Sequence, residues 1–219
     1  INDRNGEFYL TIVDNIVRRF RYPAAIQFAR RAVEIEPNNW QAYATLGTSL
    51  LRMGKSEEAR EYLEISFDRD PFNLFVGNTL TLLDERDQFS TLESEHFRLL
   101  IHPSEQDVLG PSILEWAEIC YDSLSTRYPY RPTGKILLEA YNDSDDFAVR
   151  VAGVPHIGLL GVAFGEVVAL TTPRARPDRP FNWTRTLWHE IAHTMAIGIS
   201  KHQVPRWFTE GLSVYEERR

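Results

Sequence analysis

The feature that most constrains the fold is a period of 34 residues near the start of the chain. With Trp40 counted as position 1, positions 8, 15, 20 and 32 hold Gly47, Gly54, Ala59 and Pro71. One period earlier, positions 20, 24, 27 and 32 hold Ala25, Ala29, Ala32 and Pro37. Small residues let paired helices approach closely, glycine permits the turn between them, and proline ends the second helix. The period therefore predicts two stacked helical hairpins.

This pattern resembles the tetratricopeptide (TPR) repeat. The first helix of the earlier repeat, at about residues 7 to 20, matches only in the spacing of its apolar residues. A third segment, residues 73 to 83, continues the helical period without completing a repeat, which is typical of a capping helix. The resemblance implies an N-terminal superhelix whose concave face docks a protein partner. An unrelated array of helical hairpins is the alternative.

The pattern changes after an acidic and polar stretch at residues 84 to 94. We place a domain boundary near Leu92, between a TPR part with its capping helix, residues 1 to 91, and a second part, residues 92 to 219. Runs of strand-forming residues predict strands at residues 96 to 102, 135 to 141 and 166 to 171. Helical spacing and capping residues predict helices at 105 to 128, 145 to 151 and 182 to 197, with irregular loops at 153 to 165 and 173 to 180. The expected fold class is α+β, with a small mixed sheet.

The last of these helices carries the sequence His-Glu-x-x-His at positions 189 to 193. Residues four apart share a face of a helix, so His189 and His193 can bind one metal ion while Glu190 reaches a water molecule. A catalytic zinc site keeps three protein ligands, so a third residue is needed. The candidates are Glu210 and, as its rival, the loop residue His202.

The spacing beyond the motif excludes one class of zinc peptidase. The metzincin pattern needs glycine and histidine where this chain has Ala196 and Ile199. Glu210, in the sequence Thr-Glu-Gly at a predicted helix start, is favoured over His202 as the third ligand. A helix whose histidines only face solvent or the core is the alternative without chemistry.

Residues 187 to 193 and 204 to 216 together resemble the gluzincin branch of zinc metallopeptidases. They resemble more closely the bacterial peptidase-MA-like proteins, which carry TPR repeats ahead of the catalytic domain. The resemblance also takes in residues 161 to 170 and covers most of the chain. It implies a zincin fold for residues 92 to 219, and it favours the bacterial cell envelope as the compartment, with the cytoplasm left open.

The same resemblance implies a set of roles. His189, His193 and Glu210 would bind Zn²⁺, and Glu190 would act as the general base in the hydrolysis of a protein or peptide. In this family an extended substrate adds to the edge of the sheet, which we expect to be the strand at residues 166 to 171.

The chain departs from the gluzincin pattern beyond Glu210. Thermolysin-like members have an Asp four residues after the ligand Glu, where it orients a histidine, and this chain has Val214 there. Ser213 is the nearest polar residue. A peptidase also needs a residue that stabilises the oxyanion. We expect Tyr215 to be a core or surface residue and not this stabiliser, and His156 and Arg206 are weak candidates.

Several apolar side chains are expected to be core residues. Helical spacing predicts that the helix carrying Glu210 packs through Trp207, Phe208, Leu212 and Tyr215. The same expectation applies to Trp116, Trp183, Trp188 and Cys120. Because Cys120 is the only cysteine, the fold does not depend on an internal disulfide.

The bulk properties exclude some functions. A net charge of -7 does not suggest the basic patch that nucleic acid needs, and no run of about 18 apolar residues suggests a membrane span. The chain begins at Ile1 without Met and stops at Arg219 inside a predicted helix, so we expect a fragment with a truncated zincin domain. The alternative to a zinc peptidase is a TPR scaffold that binds zinc or nothing, and a weaker one is a zinc hydrolase acting on another substrate.

Overall fold

The N-terminal part consists of helices that pack in consecutive pairs. The structure, a computed structural model, describes residues 5 to 219. The helices of this part are α1 (Gly6–Val17), α2 (Tyr22–Ile35), α3 (Trp40–Arg52), α4 (Ser56–Arg69) and α5 (Leu74–Arg86). The packing of α1 with α2 and of α3 with α4 confirms the predicted hairpins.

The small residues of the repeat lie where the paired helices touch. A Cβ atom at Gly47 would come within 2.7 Å of Leu63 and 3.0 Å of the Ala59 carbonyl oxygen, so only glycine allows this approach of α3 to α4. Gly54 has a φ of 73°, a left-handed conformation that glycine adopts without steric cost. Close packing of the paired helices therefore explains both the sequence period and the observed geometry of the hairpins.

The second part contains a five-stranded mixed sheet. Its strands are β1 (Ser90–Glu93), β2 (Phe97–Ile101), β3 (Ile136–Tyr141), β4 (Gly161–Ala163) and β5 (Val167–Thr171). Their order is β1-β2-β3-β5-β4, in which β2, β3 and β5 are parallel and both outer strands pair antiparallel. The α+β class with a small mixed sheet is confirmed.

Two strands lie in segments that the sequence did not identify as strands. β1 lies in the stretch interpreted as acidic and polar, and the predicted boundary near Leu92 falls inside it. β4 lies in the segment interpreted as an irregular loop, because three residues are too few to show an alternating pattern. The prediction that residues 166 to 171 form the edge of the sheet is wrong, since β5 is interior and β4 is the edge strand.

Four helices complete the second part, together with a short 3-10 turn at Pro173–Ala175. They are α6 (Gly110–Arg127), α7 (Ser144–Ala152), α8 (Trp183–Ile199) and α9 (Arg206–Arg218). The helix expected from residue 105 begins only at Gly110, where Pro111 suits the first turn. Helix α8 continues past Gly198, where a Cβ atom would lie 2.1 Å from the Tyr130 ring, so this glycine serves close packing.

The main core lies between the sheet and the helices α6 and α8. Cys120 is fully buried in it, as predicted, and Trp183 and Trp188 pack against its margin. The prediction that Trp116 is a core residue is wrong, because 39% of its surface is exposed on α6. Within residues 5 to 219, no helix has the length and apolar character that crossing a bilayer requires.

The N-terminal helices pack directly on the second part. Phe20 and Tyr22 share an apolar cluster with Phe164, Val167 and Ile197. On the other side, Glu139 of β3 is completely buried and forms ion pairs with Arg86 of α5, at 2.7 Å, and Arg150 of α7, at 2.6 Å. The buried carboxylate therefore joins the last N-terminal helix to the sheet.

Candidate metal centre

Helix α8 holds the two histidines of the His-Glu-x-x-His sequence on one face. The side chain of Asn182 accepts a hydrogen bond from the backbone N–H of Arg185, which caps the start of the helix. His189 and His193 follow one turn apart, and their ring centroids are 4.8 Å from each other. The two imidazoles thus meet at the surface that α8 presents to α9.

Helix α9 brings the third candidate ligand to the same place. The chain turns after α8 through Lys201 and His202, both at positive φ, and α9 begins after Pro205. Glu210 lies in the second turn of α9, which packs against α8. Its Oε2 atom is 3.7 Å from His189 Nε2 and 3.5 Å from His193 Nε2.

The three candidate ligand atoms have a spacing close to that of a tetrahedral metal site. The two histidine Nε2 atoms are 3.1 Å apart, so the edges of the triangle are 3.1, 3.5 and 3.7 Å. Two ligands of a tetrahedral ion with bonds of about 2.0 to 2.1 Å lie about 3.3 to 3.4 Å apart. The donors, two imidazoles and one carboxylate, are also the types that zinc prefers. The residues therefore fit a zinc ion of this coordination.

Glu190 lies beside the cluster and is nearly buried, with 7% of its surface exposed. The backbone N–H of Ala163 in β4 donates a hydrogen bond to its carboxylate. Burial, reinforced by the negative charge of Glu210, raises the pKa of Glu190 to about 8. In the metal-free protein this carboxyl group therefore keeps its proton to a higher pH than an exposed glutamate does.

A glycine in β4 permits this arrangement. A Cβ atom at Gly161 would lie 2.7 Å from Cγ of Glu190 and 3.0 Å from Cγ2 of Thr186. Any larger residue would therefore push the edge strand away from α8. The absence of a side chain at Gly161 brings the strand to the carboxylate.

The outer edge of β4 faces the cluster. Leu160 accepts a hydrogen bond from the backbone N–H of Thr171, and Phe164 donates one to Val167, so these residues point toward β5. Alternation along the strand turns the backbone groups of Gly161 and Ala163 the other way. Together with the histidines and Glu190 they line a cleft of about 320 Å³.

Glu217 orients one of the histidines, and sequence reasoning missed it. The Nδ1 atom of His189 is 3.0 Å from Oε2 of Glu217, whose other oxygen accepts a bond from Arg185. A carboxylate in this position fixes the tautomer of a ligand histidine and directs its Nε2 lone pair outward. The sequence did contain a signal for this role of Glu217. It lies seven residues after Glu210, two helical turns along α9, and therefore shares the face of the helix that carries Glu210.

His193 has a different environment. Its Nδ1 atom is buried and has no hydrogen-bond partner among residues 5 to 219. Burial, together with the neighbouring His189, lowers the pKa of His193 to about 4, so its ring is neutral at pH 7, which is the metal-binding form. Ser213, the expected substitute for the missing Asp, is buried with its hydroxyl also unpartnered in the described chain, and Val214 lies at the surface.

The other predicted candidates lie outside the cluster, with one exception. His202, the rival ligand, hydrogen-bonds the Phe20 carbonyl through Nδ1 at 2.6 Å and is absent from the three-residue group. His156 is exposed and pairs with Asp145 at 2.9 Å, on another part of the surface. Arg206 does line the cleft, with Nε 3.4 Å from Glu210 Oε1.

The outward face of α9 is more exposed than the sequence predicts. Trp207, Phe208 and Tyr215 are 76%, 48% and 58% exposed, so their prediction as core residues is wrong. Instead, α9 packs inward through the small and polar residues Thr209 and Ser213, which are fully buried. The face that carries Glu210 must stay close to α8, and small residues allow this approach.

Comparison with known proteins identifies one part of the chain. The protein-family model described as "Tetratricopeptide repeat" matches residues 28 to 61, which span the end of the first hairpin and the start of the second. No curated protein and no solved structure matches the chain. The TPR resemblance is therefore supported at these residues, and TPR repeats in general mediate protein interactions.

Proposed function

We propose that this protein is a zinc-dependent metallopeptidase. The observation that carries the proposal is the cluster of His189, His193 and Glu210 at tetrahedral spacing, next to the buried carboxylate of Glu190. Its members come from the two segments that resemble gluzincin peptidases. Zn²⁺ held by these residues would polarise the scissile carbonyl and lower the pKa of the attacking water.

The residues around the cluster have distinct roles in this proposal. Glu190 accepts the proton of the attacking water and passes it to the leaving amine, as a general base and then a general acid. Ala163 holds its carboxylate in place through the backbone N–H. Glu217 keeps the His189 ring in the tautomer whose Nε2 is free to coordinate.

An extended peptide suits the cleft. Gly161 and the carbonyl group of Ala163 remain available at the outer edge of β4, where a substrate strand can pair with them by main-chain hydrogen bonds, while the Ala163 N–H binds Glu190. In this proposal the substrate lies beside β4, the edge strand, and not beside β5, where the sequence suggested it. Arg206 is the cation that lines the cleft close to the cluster, so we assign it to the developing oxyanion.

The test measures metal and hydrolysis separately. The purified protein is expected to bind about one zinc per chain, measured by elemental analysis after dialysis. His189→Ala should lose the metal, while His156→Ala, an exposed histidine outside the cluster, should keep it. Glu190→Gln should keep the zinc and lose peptide cleavage. A protein that binds no zinc, or a Glu190→Gln variant that still cleaves, contradicts the proposal.

A second candidate function is a TPR scaffold that does not catalyse. The observation that favours it is the TPR match, together with a groove of about 510 Å³ lined by α1 and α3. Arg18, Arg52 and Asp14 give this groove a polar lining. Zinc binding without cleavage of any peptide, with partner binding unchanged in His189→Ala, would favour the scaffold.

A further inference from the structure

The turn between α1 and α2 reaches the candidate metal centre. Phe20 in this turn lines the same cleft as His189, Glu190 and Glu210, although about 170 to 190 residues separate it from them in sequence. The N-terminal helices therefore contribute to the cleft as well as packing on the second part. One of their side chains forms part of the wall of the cleft.

The conformation of Phe20 shows that the fold holds it firmly in this place. Its φ is 59°, a left-handed conformation that is unfavourable for a bulky residue other than glycine. The carbonyl oxygen of Phe20 accepts a hydrogen bond of 2.6 Å from His202 Nδ1, and its ring packs edge-on against Tyr22. The surrounding contacts thus compensate for a backbone that a glycine would adopt more easily.

Phe20 also contacts the residue that reaches the third ligand. The guanidinium of Arg206 lies over the Phe20 ring, 5.9 Å from its centroid, and Nε of Arg206 is 3.4 Å from Glu210. Only 8% of the surface of Phe20 is exposed, and its packing against Tyr22 and Phe164 holds the side chain at the wall of the cleft. Phe20 therefore bounds the cleft on the side of α9, while β4 bounds it on the other.

We propose that Phe20 is a specificity-determining residue, which limits the size of the apolar substrate side chain bound next to Arg206. The inference rests on the proposed peptidase function, since it assigns a substrate contact in the same cleft. A peptide paired with β4 directs alternate side chains away from the sheet plane, and those on the α9 side meet the Phe20 ring. The TPR part then takes part in choosing the substrate, in addition to any partner in its own groove.

Photo-cross-linking in the full chain tests whether peptide reaches Phe20. Phe20 is replaced with the photoreactive p-benzoylphenylalanine in the Glu190→Gln background, and the protein is irradiated with labelled peptides of random sequence. The control carries the same group at Trp116, which is more exposed but lines none of the clefts described. We expect cross-linked peptide from position 20, with and without added zinc, and little from position 116. No product from position 20, or equal product from both positions, overturns the inference.

A size-selectivity measurement gives the second readout. Phe20→Gly removes the ring and suits the left-handed backbone, but it also takes a side chain out of the cluster with Phe164 and Val167, so its folding is checked by circular dichroism. Phe20→Leu keeps an apolar side chain as the conservative control. Peptides differing only in Ala or Trp at one position are compared by kcat/KM. We expect Phe20→Gly to raise the Trp-to-Ala ratio at one position by about tenfold or more, as for other apolar subsites. An unchanged ratio at every position contradicts the inference.

The two readouts distinguish failure of this inference from failure of the proposed function. If the zinc-loaded wild type cleaves peptides but position 20 yields no cross-link, the function stands and Phe20 is not in the substrate cleft. If the wild type cleaves nothing but position 20 still cross-links specifically, peptidase activity fails and the cleft wall stands as a peptide-binding surface.

Discussion

Two glutamates of this protein are buried to a similar degree but have opposite electrostatic surroundings. Glu139, in the middle of the sheet, forms ion pairs with Arg86 and Arg150, and these cations hold the pKa of its carboxyl below the usual value against the effect of burial. Glu190 has the negative charge of Glu210 nearby, and its pKa is raised. The negative charge of Glu139 is therefore balanced by two arginines of the protein itself.

This contrast separates a buried carboxylate that is paired within the protein from one that is not. A buried carboxylate that is fully paired has no capacity left for a ligand, and its removal leaves its partners uncompensated. Glu190 has a backbone N–H as its hydrogen-bond donor and is close to three side chains with the spacing of a metal site. A cation bound there would supply the positive charge that Arg86 and Arg150 supply to Glu139.

The largest expected effect is at Glu139. Glu139→Gln should destabilise the protein by about 3 to 5 kcal/mol, because it leaves Arg86 and Arg150 buried without a counter-charge. The measurement is the free energy of unfolding by denaturant titration. The matched control is Glu93→Gln, which breaks two exposed ion pairs, with Arg98 and Lys135, and should destabilise the protein far less, because exposed pairs contribute little. Similar losses in both variants would break the comparison.

The next effect concerns the pH dependence of the metal-free protein. The pKa of Glu190 rises from 4.5 in the unfolded chain to about 8 in the folded protein. Between these pH values the unfolded chain releases this proton and the folded protein keeps it, so stability falls as pH rises. We expect this group to reduce the free energy of unfolding by about 2 to 4 kcal/mol between pH 5 and pH 8.

The variant Glu190→Gln isolates this contribution. His193 acts in the opposite sense, because its lowered pKa makes stability rise between about pH 4 and 6.5, but it is present in both proteins. The difference between wild type and Glu190→Gln, measured by denaturation with a chelator present, should therefore fall with pH. Added zinc should remove this fall. If the stability of wild type and of Glu190→Gln changes in parallel with pH in the absence of metal, the pKa of Glu190 is not raised and the contrast with Glu139 fails.

The smallest effect concerns the approach of β4 to α8. Gly161→Ala should destabilise the protein by about 1 to 3 kcal/mol, because its Cβ atom would overlap Glu190 and Thr186. The control is Gly211→Ala in α9, where a Cβ atom meets nothing within 4 Å and should stabilise the helix by about 0.5 to 1 kcal/mol. Thermal unfolding of both variants checks the opposite signs. A neutral Gly161→Ala would mean that the strand can move away from Glu190 freely.

Much of the fold could be predicted because its signals are local. The repeat places small residues at helix contacts, so Gly47 and Ala59 report the hairpin directly. The class α+β followed from runs of strand-forming residues in β2, β3 and β5. The strands β1 and β4 could not be predicted, since short outer strands carry too few residues for alternation to be visible. The assignment of residues 92 to 219 to the zincin fold stays a prediction.

The candidate site was predictable to the extent that helical spacing determines it. His189 and His193 are four residues apart, so any helix brings them together, and Glu210 was expected from the resemblance. Phe20 could not be found in this way, because only the packing of α1 and α2 on the second part brings it to the cleft. The exposure of Trp207 shows the reverse limit, since periodicity alone does not tell which face of a helix is covered.

The hydrogen bond between Phe20 and His202 joins residues 182 positions apart in the chain. Closing so long a loop costs entropy before the contact rewards it, so we expect this contact to form after the local hairpins and turns. We therefore expect the cleft wall to be completed only once both parts have folded and met. If the cleft binds peptide as proposed, a partly folded chain would lack the wall that Phe20 provides and could not yet bind peptide there.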